Sequence, residues 1–136
     1  MNGLVKWLEF PPLGDDRGSL VALEANETIP FEIKRVYYLF DTKHDVVRGM
    51  HAHLSLKQVI LCVTGSCKIL LDNGVSKDTV FLDSPTKGLL IESLVWREIS
   101  DFSPDCVLLV IASEHYDESD YIRSYTIFRE KLEKKS

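Results

Sequence analysis

Apolar residues fall in short blocks along most of the chain, and turn residues separate the blocks. Residues 20–24 form an apolar run after the turn Gly14-Asp15-Asp16-Arg17-Gly18. Residues 33–40 are rich in β-branched and aromatic side chains, and 47–53 follow a polar turn. Residues 58–63 end at Thr64-Gly65-Ser66, and 67–71 end at Asp72-Asn73-Gly74. Asn-Gly between two apolar runs marks a hairpin. Residues 79–82, 88–94, 95–99 and 106–112 complete the series, the last being the most apolar. Blocks recurring roughly every 8–12 residues predict a β-sandwich or barrel. Only the tail has helical spacing, with Ile122, Tyr125 and Phe128 three apart. Ser119 or Asp120 would cap a helix from about Tyr121, and Lys131, Lys134 and Lys135 suit its C-terminus. The pattern therefore predicts an all-β domain over residues 1–136 with a short C-terminal helix.

The composition changes this picture little. At 136 residues, with 45% apolar and 27% charged residues, the chain is sized for one globular domain. No run of 18 or more apolar residues is present, so no membrane span is expected. The start, Met1 to Trp7, lacks a basic region followed by an apolar one, so no secretory signal is expected either. A net charge of −5 argues against broad binding to nucleic acid or anionic membrane. Cys62, Cys67 and Cys106 each lie in an apolar run, without a Cys-x-x-Cys. They read as buried thiols of a cytoplasmic protein rather than a zinc or redox site.

Candidate chemistry is concentrated in Arg48-Gly49-Met50-His51-Ala52-His53, which holds two of the four histidines. Residues i and i+2 of a strand face the same side, so His51 and His53 point together. Spacing alone leaves three readings: two metal ligands, an acid/base pair, or a polar patch facing water. Imidazoles titrate near neutral pH, so a pair of them suits proton removal beside a carbonyl and proton return to a neighbouring carbon. Arg48 has the opposite parity from His51 in a regular strand, and a bulge at Gly49 would re-aim it. Tyr37 shares a strand face with Arg35 and Leu39, opposite the more apolar Val36, Tyr38 and Phe40.

A His-x-His strand in a small β-barrel resembles the cupin superfamily. In metal cupins a carboxylate follows the histidines and a later Pro-x-Gly motif brings a third histidine. Here Gln58 stands near the carboxylate position, and the segment from Pro85 to Glu92 has no histidine. Two histidines fall short of the usual ligand sets, although Glu92 could supply a carboxylate.

The resemblance narrows further, to the nucleotide-sugar 3,4-ketoisomerases. It rests on Gly14-Asp15-Asp16-Arg17-Gly18-Ser19-Leu20, Arg35-Val36-Tyr37-Tyr38, Arg48-Gly49-Met50-His51-Ala52-His53, Gln58, Gly65-Ser66, Gly88-Leu89, Trp96, Phe102-Ser103, Ala112-Ser113 and the tail Tyr116-Asp117-Glu118-Ser119-Asp120-Tyr121-Ile122-Arg123. It covers nearly the whole chain.

The resemblance implies a metal-independent cupin jelly-roll β-barrel without a cofactor, usually a homodimer. The implied substrate is dTDP-4-keto-6-deoxy-D-glucose. The implied product is a dTDP-3-keto-6-deoxyhexose, with gluco slightly favoured over galacto at C4, on the way to 3-amino-3,6-dideoxyhexoses. By the same resemblance His51 and His53 are the catalytic pair and Arg48 binds substrate. Alternatives are the related 3,5-epimerase, a metal-dependent cupin enzyme and a non-catalytic sugar-binding cupin.

A negatively charged chain that binds a diphosphate must gather cations locally, and Arg17, Arg35, Arg48, Arg97 and Arg123 form the pool. If Arg17 and Arg97 line the hexose pocket, they could set the face on which C4 is protonated. Tyr37 is the favoured hydroxyl, and Tyr116, after the last long strand, is a further site candidate. His44 and His115 read as surface residues, and Trp96 as core. The segment Trp7-Leu8-Glu9-Phe10 suggests dimerisation by strand exchange.

Overall fold

The computed structural model describes residues 3–135. Met1, Asn2 and Ser136 lie outside the described residues, as does the side chain of Lys135, and with them part of the leader and helix-end readings. The strands, in chain order, are β1 (Lys6–Glu9), β2 (Leu13–Asp15), β3 (Gly18–Leu20), β4 (Arg35–Leu39), β5 (Arg48–His53), β6 (Gln58–Thr64), β7 (Cys67–Asp72), β8 (Lys77–Leu82), β9 (Lys87–Ile91), β10 (Trp96–Ser100), β11 (Val107–Ala112) and β12 (Tyr121–Ile122). A 3-10 turn covers Glu118–Asp120, and helix α1 covers Tyr125–Lys135. Among the described residues no helix is long and apolar enough to cross a membrane.

Two five-stranded sheets carry the fold, in the orders β1-β9-β6-β11-β4 and β12-β5-β10-β7-β8, with β2-β3 as a separate hairpin. The all-β jelly roll is as expected. The sheets face each other as a sandwich rather than closing into a barrel.

Inward-facing residues of both sheets form the main core, including Ile60, Ile69, Leu71, Leu89, Ile99, Phe102 and Leu108. The outer face of the first sheet is buried as well, because Phe10, Ile29 and Phe31 pack on Val59, Leu61 and Ile111. That double burial explains the unbroken apolar runs in β6 and β11, which a half-exposed strand would not show. Helix α1 covers the second sheet, where Phe128 packs with Ala52, Trp96 and Ile122. Trp96 is a core residue, as read from the sequence.

Several boundaries differ from the sequence pattern. The run 20–24 is not a strand; only Leu20 is, at the end of an exposed β2–β3 hairpin. Residues 88–99 split into β9 and β10, which belong to different sheets. Leu94 between them has φ 59°, the left-handed conformation that turns the chain. The tail helix starts at Tyr125, four residues late, and the Ser124 hydroxyl caps it by accepting from the Ile127 N–H. Tyr121 and Ile122 instead extend a sheet by pairing with His53 and Ala52. A short β-pairing with Ile122 buried and Tyr121 half-buried outweighs the weak helical spacing there. The Asn73-Gly74 hairpin forms as expected, joining β7 to β8.

Candidate active site

A cavity of about 350 Å³ opens between the two sheets at one end of the sandwich. The first sheet supplies Arg35, Tyr37 and Gln58, and the second supplies Arg48, His51, Arg97 and Tyr121, with Arg123 just beyond β12. Most of these face inward by simple alternation. Arg48 does not, and the bulge resolves its parity. Along β10, Arg97 pairs with His51 but Glu98 pairs with Gly49, so Met50 is the extra residue. Gly49 has φ 83° and Met50 φ 57°. This left-handed step re-aims the strand, and Arg48 joins His51 at the cavity.

The two imidazoles stand edge to face, 4.8 Å between ring centroids. The Tyr121 ring lies 4.3 Å from His53 and 5.0 Å from His51. His53 is fully buried behind His51, and its Nδ1 lies 3.2 Å from the Asp120 carboxylate. That carboxylate also accepts from the Ser55 and Leu56 backbone N–H groups, so its position is fixed. The pairing places the proton of neutral His53 on Nδ1 and leaves the Nε2 lone pair free. His53 Nε2 and His51 Nδ1 are both buried and have no hydrogen-bond partner in the protein.

Burial, then the Arg97 guanidinium, pushes the His51 imidazole down to about 4. The same two causes, followed by the neighbouring His51, Arg35 and Arg123, push His53 down to about 2. Both rings are neutral at pH 7 and able to accept a proton.

Arg97 is itself only 2% exposed. Its Nε and Nη2 donate to the Val95 carbonyl and its Nη1 donates to Gln58 Oε1. No carboxylate pairs with it among the described residues. Burial pushes it down to about 10, so it remains a cation at neutral pH. The Gln58 amide then donates through Nε2 to Tyr37 Oη, at 3.0 Å. Because that oxygen already accepts, the Tyr37 proton is free to point into the cavity. Burial raises Tyr37 above the usual phenol value, which keeps it protonated and a donor.

The remaining arginines ring the opening. Arg35 stacks on Tyr37 and Tyr116, at 5.1 Å and 5.7 Å from the ring centroids, with Nε and Nη2 buried and unpartnered. Arg123 lies over Tyr121 and grips Glu118 through two hydrogen bonds. Tyr116 is exposed on the rim, and its hydroxyl donates to the same Glu118. Arg17 is the exception. It sits on the β2–β3 hairpin, paired with Asp15, and does not line the cavity. A three-residue hairpin strand with every residue exposed cannot bring it inward. His44 and His115 are exposed, as expected.

Three residues that line the cavity or hold its side chains in place were not singled out from the sequence as site residues: Asp120, Tyr121 and Gln58 as the link between Arg97 and Tyr37. Reading residues 120–122 as a helix start hid the first two. The register of Tyr121 against His53 follows only from recognising β12 as a strand.

The site does not suit a metal ion. Gln58 offers an amide already engaged at both ends, and Glu92 pairs with Lys6 rather than facing the histidines. A buried guanidinium beside both imidazoles repels a dication.

Comparison with known proteins agrees with this geometry. The profile of the family described as FdtA, WxcM-like, C-terminal, matches residues 4–133. A TDP-4-oxo-6-deoxy-alpha-D-glucose-3,4-oxoisomerase from Aneurinibacillus thermoaerophilus is 52% identical over 129 residues, covering 95% of this chain and 93% of that one. The chain belongs to the sugar 3,4-ketoisomerases. Like its relatives, this ketoisomerase is an isomerase by family.

Its fold superposes on QdtA, a sugar 3,4-ketoisomerase from Thermoanaerobacterium thermosaccharolyticum solved in complex with TDP. The TM-score is 0.94 at 44% identity, covering 99% of this chain and 98% of that one. A 3,4-ketoisomerase from Helicobacter canadensis matches with TM-score 0.92 at 46% identity, covering 95% and 97% of the two chains. NovW, a 4-keto-6-deoxy sugar epimerase from Streptomyces spheroides, shares only the fold, with TM-score 0.70 at 17% identity, over 87% of this chain and 67% of that one.

Proposed function

We propose that this ketoisomerase converts dTDP-4-keto-6-deoxy-D-glucose to a dTDP-3-keto-6-deoxyhexose by enediolate chemistry, without a metal or cofactor. The observation that carries the reading is the pair of neutral imidazoles with unpartnered nitrogens, set beside a buried cation and a phenol donor. The C4 carbonyl acidifies the C3 proton, and one imidazole removes it. Negative charge develops on O4, where the Tyr37 hydroxyl and the Arg97 field stabilise it. In many sites of this kind, donors fixed in place before the reaction supply most of the rate enhancement. A proton then returns to C4 and another to O4, while O3 loses its hydroxyl proton to become the new carbonyl oxygen. His51 and His53 share these transfers, with Asp120 holding His53 in one tautomer.

Arg35, Arg48 and Arg123 supply the cations that a diphosphate needs, as guanidinium matches phosphate oxygens two at a time. Tyr116 closes the rim beside Arg35. Arg97 borders the hexose and is the candidate for setting the face on which C4 is protonated. Arg17 does not line the cavity that holds the histidines and stays a substrate-binding candidate because its guanidinium matches a phosphate.

The working assembly is a homodimer in the cytoplasm. A row of exposed apolar side chains on the outer face of edge strand β4 and just beyond it, Val36, Tyr38 and Phe40, supports the dimer. The strand-exchange expectation meets an intrachain alternative, because β1 pairs with β9 of its own chain.

A proton NMR time course in D2O tests the reaction, with metal-free enzyme and dTDP-4-keto-6-deoxyglucose. The expected result is a 3-keto sugar with deuterium at C4, and the H4–H5 coupling of product made in parallel in H2O tests the gluco expectation. Exchange at C5 with the C4 ketone retained would replace this reading with the epimerase. A spectrum unchanged even after divalent metals are added would leave a sugar-binding protein.

A further inference from the structure

The three cysteines, separated in sequence, meet at one point in the core. Cys62 Sγ lies 3.8 Å from Cys67 Sγ and 3.7 Å from Cys106 Sγ. The three sulfurs all lie within 4.8 Å of one another, and each residue is at most 1% exposed. Cys62 is on β6, two residues beyond the cavity residue Ile60, with Cys67 starting β7 and Cys106 just before β11. They occupy the end of the sandwich floor away from the histidines. The turn at Gly65 and Ser66 covers them, locked to the 103–106 loop by the Ser66 N–H to Ser103 Oγ and Ser103 N–H to Ser66 carbonyl bonds.

We infer that this trio is a three-sulfur binding site for a trivalent thiophilic ion of the arsenic(III) class. The Cys62 sulfur stands 3.8 and 3.7 Å from the other two, and the third edge is within 4.8 Å, so all three can reach one atom whose bonds to sulfur are about 2.3 Å long. A pyramidal three-coordinate atom such as arsenic(III) then draws the three sulfurs slightly closer together as it binds.

Charge then selects among the atoms of that size. The core around the trio is apolar, including Phe102, Leu82 and Leu108. Three thiolates on zinc would leave one net negative charge there, and on copper(I) two, at a heavy desolvation cost. Arsenous acid avoids that cost. Three S–H and three As–O bonds break, three As–S bonds form, and three waters leave. The arsenic stays trivalent and the product is neutral. The 103–106 loop must open for entry, so loading is slow even where binding is tight.

The test uses the full chain, reduced and freed of small thiols, incubated with arsenite below its unfolding temperature. Intact mass should show one arsenic per chain with the loss of three hydrogens, and no thiol left for alkylation after denaturation. Cys62→Ser, Cys67→Ser and Cys106→Ser should each lose the three-bond adduct and bind at least tenfold more weakly. Retained isomerase activity reports that each variant is folded, and Cys→Ala replacements serve where serine disturbs the core. The assignment is overturned if the unmodified chain gains no arsenic. It is equally overturned if a single variant binds as tightly as the parent, or if equimolar zinc prevents the adduct.

Discussion

Each imidazole of the proposed acid/base pair takes its character from a different neighbour. Asp120 fixes the His53 tautomer, while burial beside Arg97 keeps His51 unprotonated. Asp120→Asn keeps the shape of the side chain but lets the amide NH2 face His53 Nδ1, which favours the wrong tautomer. Steady-state kinetics should show kcat falling on the order of 10²-fold or more with KM nearly unchanged, in line with the usual worth of an acid/base group. Equal kcat values for the two proteins would remove Asp120 from the proton path.

The acid limb of the rate profile belongs to the same pair. With His51 lowered to about 4, kcat/KM should hold through pH 6 and decline only toward pH 4 to 5. An unperturbed histidine would instead give a decline centred near 6.5. Tyr37→Phe removes one donor to the developing O4 charge and leaves the fold, and a 10²- to 10³-fold loss in kcat is the expected scale.

At the level of the strand, the bulge in β5 decides the shape of the site. Gly49 adopts φ 83°, and a Cβ there would stand 3.1 Å from the Arg97 carbonyl oxygen. Gly49→Ala is therefore expected to lower stability by about 1–2 kcal/mol in urea unfolding. It should also weaken substrate binding by displacing Arg48 relative to His51, seen as a raised KM.

This bulge was legible in the sequence because Arg48 and His51 could not otherwise share a face. The paired histidines and the inward Arg35 and Tyr37 were legible for the simpler reason of strand alternation. The small strand β12 was not, since two residues carry no periodicity and the nearby tail does look helical. The burial of Arg97 was equally hidden. Its environment depends on Gln58 across the sandwich, a contact set by how the sheets face each other. The meeting of the cysteines was missed for the same reason.

For the molecule as a whole, two neutral buried histidines tie folding to pH. Unfolded, each titrates near 6.5, and folded, well below that. The unfolded chain therefore binds more protons as the pH drops. The stability present above pH 6.5 should be lost progressively as the pH falls toward about 4, by an amount on the order of a few kcal/mol. Denaturant midpoints measured from pH 7.5 to 4.5 check this, and His51→Gln should flatten the slope. Association is checked separately. Phe40→Lys, just beyond the exposed face of β4, should shift sedimentation from dimer to monomer without unfolding the chain.

The segment from Glu118 to Arg123 follows every long strand in the chain, yet it supplies Asp120, Tyr121 and Arg123 to the site. During synthesis, then, both histidines leave the ribosome long before the residues that set the tautomer of one and wall in the other. A nascent chain would carry its reactive pair in an unfinished state until the last strand docks. On the proposed mechanism, chemistry on the sugar is withheld from incomplete chains, and turnover would itself report that the C-terminal segment has reached its place.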